Sequence, residues 1–227
     1  MPHFTIESNE DGTVREILKD GQPYHEALVL EQVFGVVTTY FKLAAANIEN
    51  QKMQQSNEGR RLLGLQAFLM SLTGLEAFTN VYFHLRGLQL NDAGVVARTR
   101  RTHGTLSNKL SELIDMVPGN PVLNKDDLIS KVFELSQLRN EIVHPRWEPS
   151  SVTMESETID ISGLVENRQA LFENQQFCRE ALMWCLLVVA RIGEAAGNAD
   201  SSAFVLYWTG NHNLSLSDIL GELAAAP

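Results

Sequence analysis

The stretch Leu135-Ser136-Gln137-Leu138-Arg139-Asn140-Glu141-Ile142-Val143-His144-Pro145 carries the residue types best suited to chemistry in this chain. Arg139 offers a planar fork of donors that matches phosphate or carboxylate oxygens. His144 titrates near neutral pH, so its imidazole can give or take a proton. The side amide of Asn140 can orient either group. Together they suit an anionic ligand on which a proton must move.

The spacing says what must hold these groups. Leu128, Val132, Leu135, Arg139 and Ile142 recur at intervals of 4, 3, 4 and 3, which is one face of a helix. Arg139 interrupts that apolar stripe. A buried guanidinium without a partner is unfavourable, so Arg139 either pairs with an acid such as Glu76 or faces a cleft. On a regular helix His144 would diverge from Arg139 by about 140°. However, His144 precedes Pro145, and a residue before proline is pushed out of the helical region. The helix must end there, and the imidazole can swing back toward Arg139. Capping the helix C-terminus is the plainer use of the same ring.

A second basic group is Arg98-Thr99-Arg100-Arg101-Thr102-His103. Arg98, Arg100 and Arg101, with Arg146 beside the motif, could hold RNA phosphates. A solvated helix face explains the same charges. The chain has 18 Lys+Arg against 28 Asp+Glu, a net charge of −10, which disfavours a non-specific nucleic-acid coat. The distribution is uneven. Residues 84–146 hold nine Lys/Arg and seven Asp/Glu, whereas the rest hold nine and twenty-one. The positive charge is concentrated in the segment that contains the motif.

The surrounding elements read as long helices. Apolar periodicity predicts helices over about 24–55, 58–88, 92–116, 125–144 and 166–196. Gly64 and Gly74 weaken the second locally. Asn124 is the expected N-cap of the fourth, with Asp126 and Asp127 favouring its first turn. Residues 4–23 read as a small β-hairpin with turns at Glu10-Asp11-Gly12 and Asp20-Gly21. Residues 147–165 read as a short β-like flap, 204–208 as a strand, and 217–223 as a short helix. The expected class is all-α: an antiparallel bundle of four to five long helices, with residues 1–23 as an arm and 24–227 as the bundle and its tail.

Cys178 and Cys185 lie seven residues apart, about 10 Å along one helix, beyond disulfide reach. They are expected to be reduced thiols, and no metal-type Cys/His cluster is visible. The first ten residues lack the zones of a signal peptide. The longest uncharged apolar run, Ala181 to Ala190, is short for a membrane span. A cytoplasmic protein without a membrane partner is expected. No P-loop, Gly-x-Ser-x-Gly elbow, His-Glu-x-x-His helix or Gly-x-Gly-x-x-Gly loop occurs.

Arg139-Asn140-x-x-x-His144, at the end of a bundle helix ahead of the last long helix, resembles the signature of the HEPN family, the higher-eukaryote-and-prokaryote nucleotide-binding domains. The resemblance covers about residues 24–196 as architecture and six positions as motif. It implies a metal-independent endoribonuclease that needs no cofactor and acts as a homodimer with two motifs in one cleft. Arg139, Asn140 and His144 would be the catalytic residues. It also implies a role as a toxin or phage-defence effector, with RNA as substrate and an antitoxin or regulatory protein as partner. One toxin subgroup carries a Tyr two positions after the His; here that position is Arg146, so regulation by adenylylating such a Tyr is in doubt. Other members bind a nucleotide or a protein without cleaving anything, and that alternative stands beside the first.

Overall fold

The computed structural model describes residues 4–8, 14–25, 29–101, 104–144, 152–155, 158–161, 170–198 and 200–210. The chain divides into two compact units, Met1–Val33 and Phe34–Pro227. The sequence reading sets this boundary at 23/24; the observed one falls inside the first helix.

The first unit is a three-stranded antiparallel meander, β1 (Phe4–Ser8), β2 (Val14–Lys19) and β3 (Gln22–Pro23). Phe4 pairs with Lys19 and Ile6 with Ile17. The expected hairpin is present, extended by one short strand. Asp20 and Gly21 join β2 to β3 with φ of +53° and +80°, the two left-handed residues a two-residue hairpin turn requires.

The second unit is helical. Its elements are α1 (Val29–Lys52, which begins in the first unit), α2 (Asn57–Gln89), α3 (Ala93–Arg100), α4 (Leu106–Met116), α5 (Lys125–Val143), α6 (Gln175–Ala195) and α7 (Ser201–Thr209). A 3₁₀ turn at Ala170–Glu173 leads into α6, and β4 (Val152–Glu155) pairs antiparallel with β5 (Thr158–Ile161) where the flap is expected.

α2 is the central helix. Phe68, Leu72, Leu75 and Phe78 are fully buried on it. Val37, Phe41, Ala44, Ile48 and Gln51 of α1, spaced 4, 3, 4 and 3, are buried too. Two of the four glycines of α2, Gly64 and Gly74, are close-approach points. A Cβ at Gly64 would stand 1.9 Å from the Phe172 carbonyl oxygen, and one at Gly74 would stand 3.1 Å from the Phe41 ring. The local helix penalty of glycine is accepted there because two elements pack against the α2 backbone. The buried Gln51 amide donates to the carbonyls of Phe172 (2.7 Å) and Arg60 (3.1 Å), which ties α1, α2 and the 3₁₀ turn together. α2 is also long and apolar enough to cross a membrane, with a mean hydropathy of 1.3 over its most apolar window, and half of that window is buried in the bundle.

Three expectations are corrected. The helix expected over 92–116 is two helices. Arg101 is extended, Gly104 takes φ +107°, and Thr105 opens α4 by accepting a hydrogen bond from the Asn108 N–H. The strand expected over 204–208 is helix α7, because Asp200 caps it and the left-handed Gly210 ends it. Phe204 and Trp208, four residues apart, thereby reach Phe78 and Tyr82. Asn124 makes no side-chain cap to α5 and sits at φ +55°. The helix expected over 217–223 lies outside the described residues.

α2 to α5 form an antiparallel zigzag. α3 folds back along α2, with Val95 against Gly87 and Thr99 against His84. α4 reverses along α3 through Arg98 and Glu112, and α5 reverses again beside the Lys125–Asp115 pair. α5 therefore runs antiparallel to α2.

Candidate active site at the end of helix α5

α5 buries Leu128, Val132 and Leu135 and ends on the motif. Its last turn behaves as the proline argument requires. His144 leaves the helical region (φ −124°, ψ +65°), while its N–H still donates to the Asn140 carbonyl at 2.8 Å. Both the Asn140 and His144 side chains are exposed. Among the described residues neither makes a hydrogen bond to Arg139.

Arg139 lies on the inner edge of this surface. Its Nη1 donates to Glu76 Oε2 of α2 at 3.0 Å, the acid that the sequence names as its plainest partner. The magnitude of that pairing decides what it means. The two side chains are 30% and 41% exposed, so this is a surface pair worth about 0–1 kcal/mol. Arg139 is not a buried charge that must be neutralised. Its remaining N–H groups are open to a ligand, and charge-assisted bonds to a phosphate would compete readily with one water-screened carboxylate.

The basic segment divides in two. Arg100 and Arg101 are exposed on the last turn of α3 and just beyond it. Arg98 is only 7% exposed, its Nε donates to the Glu112 carboxylate, and its Nη1 is buried without a partner. The expectation that Arg98 binds RNA beside Arg100 and Arg101 is therefore corrected. It shares the inward face of α3 with Val95 and Thr99 and joins α3 to α4. Arg146, Trp147 and His103 lie outside the described residues.

α2 contributes a polar stripe at Glu76, Asn80 and His84, one residue per turn. His84 Nδ1 stands 3.3 Å from Thr99 Oγ1. Burial lowers its pKa below the usual histidine value, and Arg100 lowers it further. Lys109 of α4 donates from Nζ to the carbonyls of Thr99 (2.5 Å) and Arg101 (3.0 Å). Burial and the Arg98 charge lower its pKa, and Glu76 opposes the shift. The sequence reading offers Glu76 as an acid for Arg139; Lys109 and Asn80 it misses. The signal was the period-four polar stripe on an otherwise apolar α2.

Two surface depressions lie elsewhere. One is lined by Tyr82, Phe83, Arg86 and Ile192, among others, and one by the α4–α5 loop with Asp115, Asp126 and Asp127. Neither is lined by a motif residue. Cys178 and Cys185 are free and buried, and burial pushes both thiols up to about 12. Among the described residues no three His, Cys, Asp or Glu side chains are grouped to hold a metal ion.

The fold and site define an all-α bundle with an arginine, an amide and an imidazole around one exposed helix end. No protein-family profile, no curated protein and no solved structure matches the chain significantly.

Proposed function

We propose that this protein is a HEPN-like, metal-independent endoribonuclease acting as a homodimer, a toxin or phage-defence effector of the cytoplasm. The observation that carries the reading is the partly exposed Arg139, held by one weak surface pair, on the same helix end as an exposed Asn140 and a non-helical, exposed His144. Arg139 grips the non-bridging oxygens of the scissile phosphate and offsets the charge that builds on them. One base takes the proton of the 2′-hydroxyl, whose oxygen attacks phosphorus. The bond to the 5′-oxygen breaks, and an acid protonates that oxygen. The products carry 2′,3′-cyclic phosphate and 5′-hydroxyl ends. His144 supplies the base or the acid, and the second copy's His144 supplies the other. Asn140 orients the ring or the phosphate.

The alternative is a non-catalytic module that binds a nucleotide or a protein through the same helix end. The Arg139–Glu76 pair favours it, because a guanidinium already paired can serve binding or structure without chemistry. Cleavage of total RNA in EDTA separates the two. The parent protein is expected to leave cyclic-phosphate ends, and His144→Ala to lose about 10²–10⁴-fold in rate with its melting temperature unchanged. No cleavage by the parent, or cleavage by His144→Ala at the parent rate, would sink the nuclease mechanism.

A further inference from the structure

Because α5 runs antiparallel to α2, the Glu76–Arg139 pair sets what lies beside it. On the side away from His144, Asn80 stands four residues past Glu76, about 6 Å along α2. Ser136 stands three residues before Arg139, about 4.5 Å along α5. Each carries a polar atom buried without a partner, Asn80 Oδ1 and Ser136 Oγ, and Ser136 is only 5% exposed. Two orphaned polar atoms on facing helices, each one turn from the same ion pair, lack a hydrogen-bonding group that a ligand can bring.

α4 adds a cation at this place. Lys109 Nζ uses two of its three donors on the Thr99 and Arg101 carbonyls, which leaves one. The Thr99 hydroxyl in turn stands 3.3 Å from His84 Nδ1, one turn past Asn80 on α2, so the ammonium lies beside that polar stripe. Glu76 bonds Arg139, and among the described residues no carboxylate stands within ion-pair distance of Lys109. A single phosphate on Arg139 leaves the second cation unmatched; a second phosphate answers it.

We propose that Lys109, Asn80 and Ser136 form a subsite for the nucleotide next to the scissile phosphate, on the side away from His144. Lys109 takes that nucleotide's phosphate, and the Asn80 carbonyl oxygen and Ser136 hydroxyl meet polar atoms of its base or ribose. This subsite rests on the nuclease reading and extends it: the substrate is single-stranded RNA engaged over at least two phosphates.

The test compares a dinucleotide with trinucleotides that extend the same cleavable bond by one phosphate at either end. The parent is expected to show kcat/KM about tenfold higher for one of the two trinucleotides, the gain from one added charge-assisted contact. For that substrate Lys109→Gln should raise KM and lower the log–log salt slope of binding by about 0.7, the share of one single-strand phosphate. Lys109→Arg should restore the slope. A purely structural Lys109 would change stability without moving the slope. Equal kcat/KM for all three substrates in the parent, or an unchanged slope in a folded Lys109→Gln, would overturn the subsite. A parent that cleaves none of them overturns the nuclease reading first.

Discussion

Two faces of α2 do opposite work. The inner face presents Phe68, Leu72, Leu75 and Phe78, all fully buried among other side chains. Phe78 stacks on Tyr82 at 5.2 Å and meets Trp208 edge-on at 5.2 Å. The polar face presents Glu76, Asn80 and His84, partly exposed and engaged by Arg139 and Thr99. Side chains two residues apart on one helix thus belong either to a dry core, where packing area decides stability, or to a partly exposed polar face, where charge and solvent screening weigh more. The comparison teaches that α2 can hold its polar face steady because its other face is locked. Substitutions on the two faces should therefore separate stability from activity.

The largest effect is expected on the inner face. Phe78→Ala removes a fully buried ring and should cost about 3–5 kcal/mol, a fall in melting temperature of roughly 6–20 °C. Any nuclease activity should fall only as far as the folded fraction does at the assay temperature. A variant with the parent's melting temperature but no activity would mean that the two faces are not separable.

How much of this was legible beforehand follows the same division. Long stripes of apolar residues predict α2 over 58–88 and α5 over 125–144, and the observed bounds are Asn57–Gln89 and Lys125–Val143. The end of α5 follows from Pro145 alone, since the steric rule is local. Two other places resist because several weak local signals compete there. Phe204 to Trp208 is rich in strand-favouring side chains, yet the Asp200 cap and the aromatic contacts to Phe78 and Tyr82 make it helical. The break after Arg100 hangs on Gly104 and the Thr105 cap, in a polar stretch, Arg98 to Thr105, between two apolar stripes that a single helix could also join. For the site, Arg139 and His144 are visible as a motif, and Glu76 as one example of an acid that could pair with Arg139. Lys109 and Ser136 are not, because their relation to α2 depends on the successive reversals through α3, α4 and α5, which no local pattern states.

A smaller effect is expected at Arg98, which lies between the two regimes. Its guanidinium is buried with Nη1 unsatisfied, while Glu112 is 55% exposed and stays hydrated without it. Arg98→Ala should destabilise by about 1–3 kcal/mol through lost packing and the lost pair. Arg98→Met keeps much of the volume and removes the unsatisfied charge, so its unfolding free energy from urea titration should lie within about 1 kcal/mol of the parent's. Equal losses in both variants would show that the ion pair, not the packing, holds α3 to α4.

The smallest effect should be a pH dependence confined to the polar face. Burial first, and the Arg100 charge second, hold the His84 pKa below its ordinary value of 6.5. The unfolded chain therefore binds this proton more tightly than the folded one. Stability that is fully present above about pH 6.5 is lost as pH falls from there through the lower folded value. His84→Gln keeps a polar partner for Thr99 but cannot titrate, so its melting temperature should fall less than the parent's between pH 7.5 and 5. Arg100→Gln, which removes the second cause, should flatten the parent's curve in part. The shift is small because the ring is only partly buried and water screens the Arg100 charge. The inner face stays silent over this range, since burial raises Tyr82 above 10.0 and both cysteines to about 12. Parallel curves for the parent and His84→Gln would remove His84 from the account and leave the acid sensitivity of the fold to other groups.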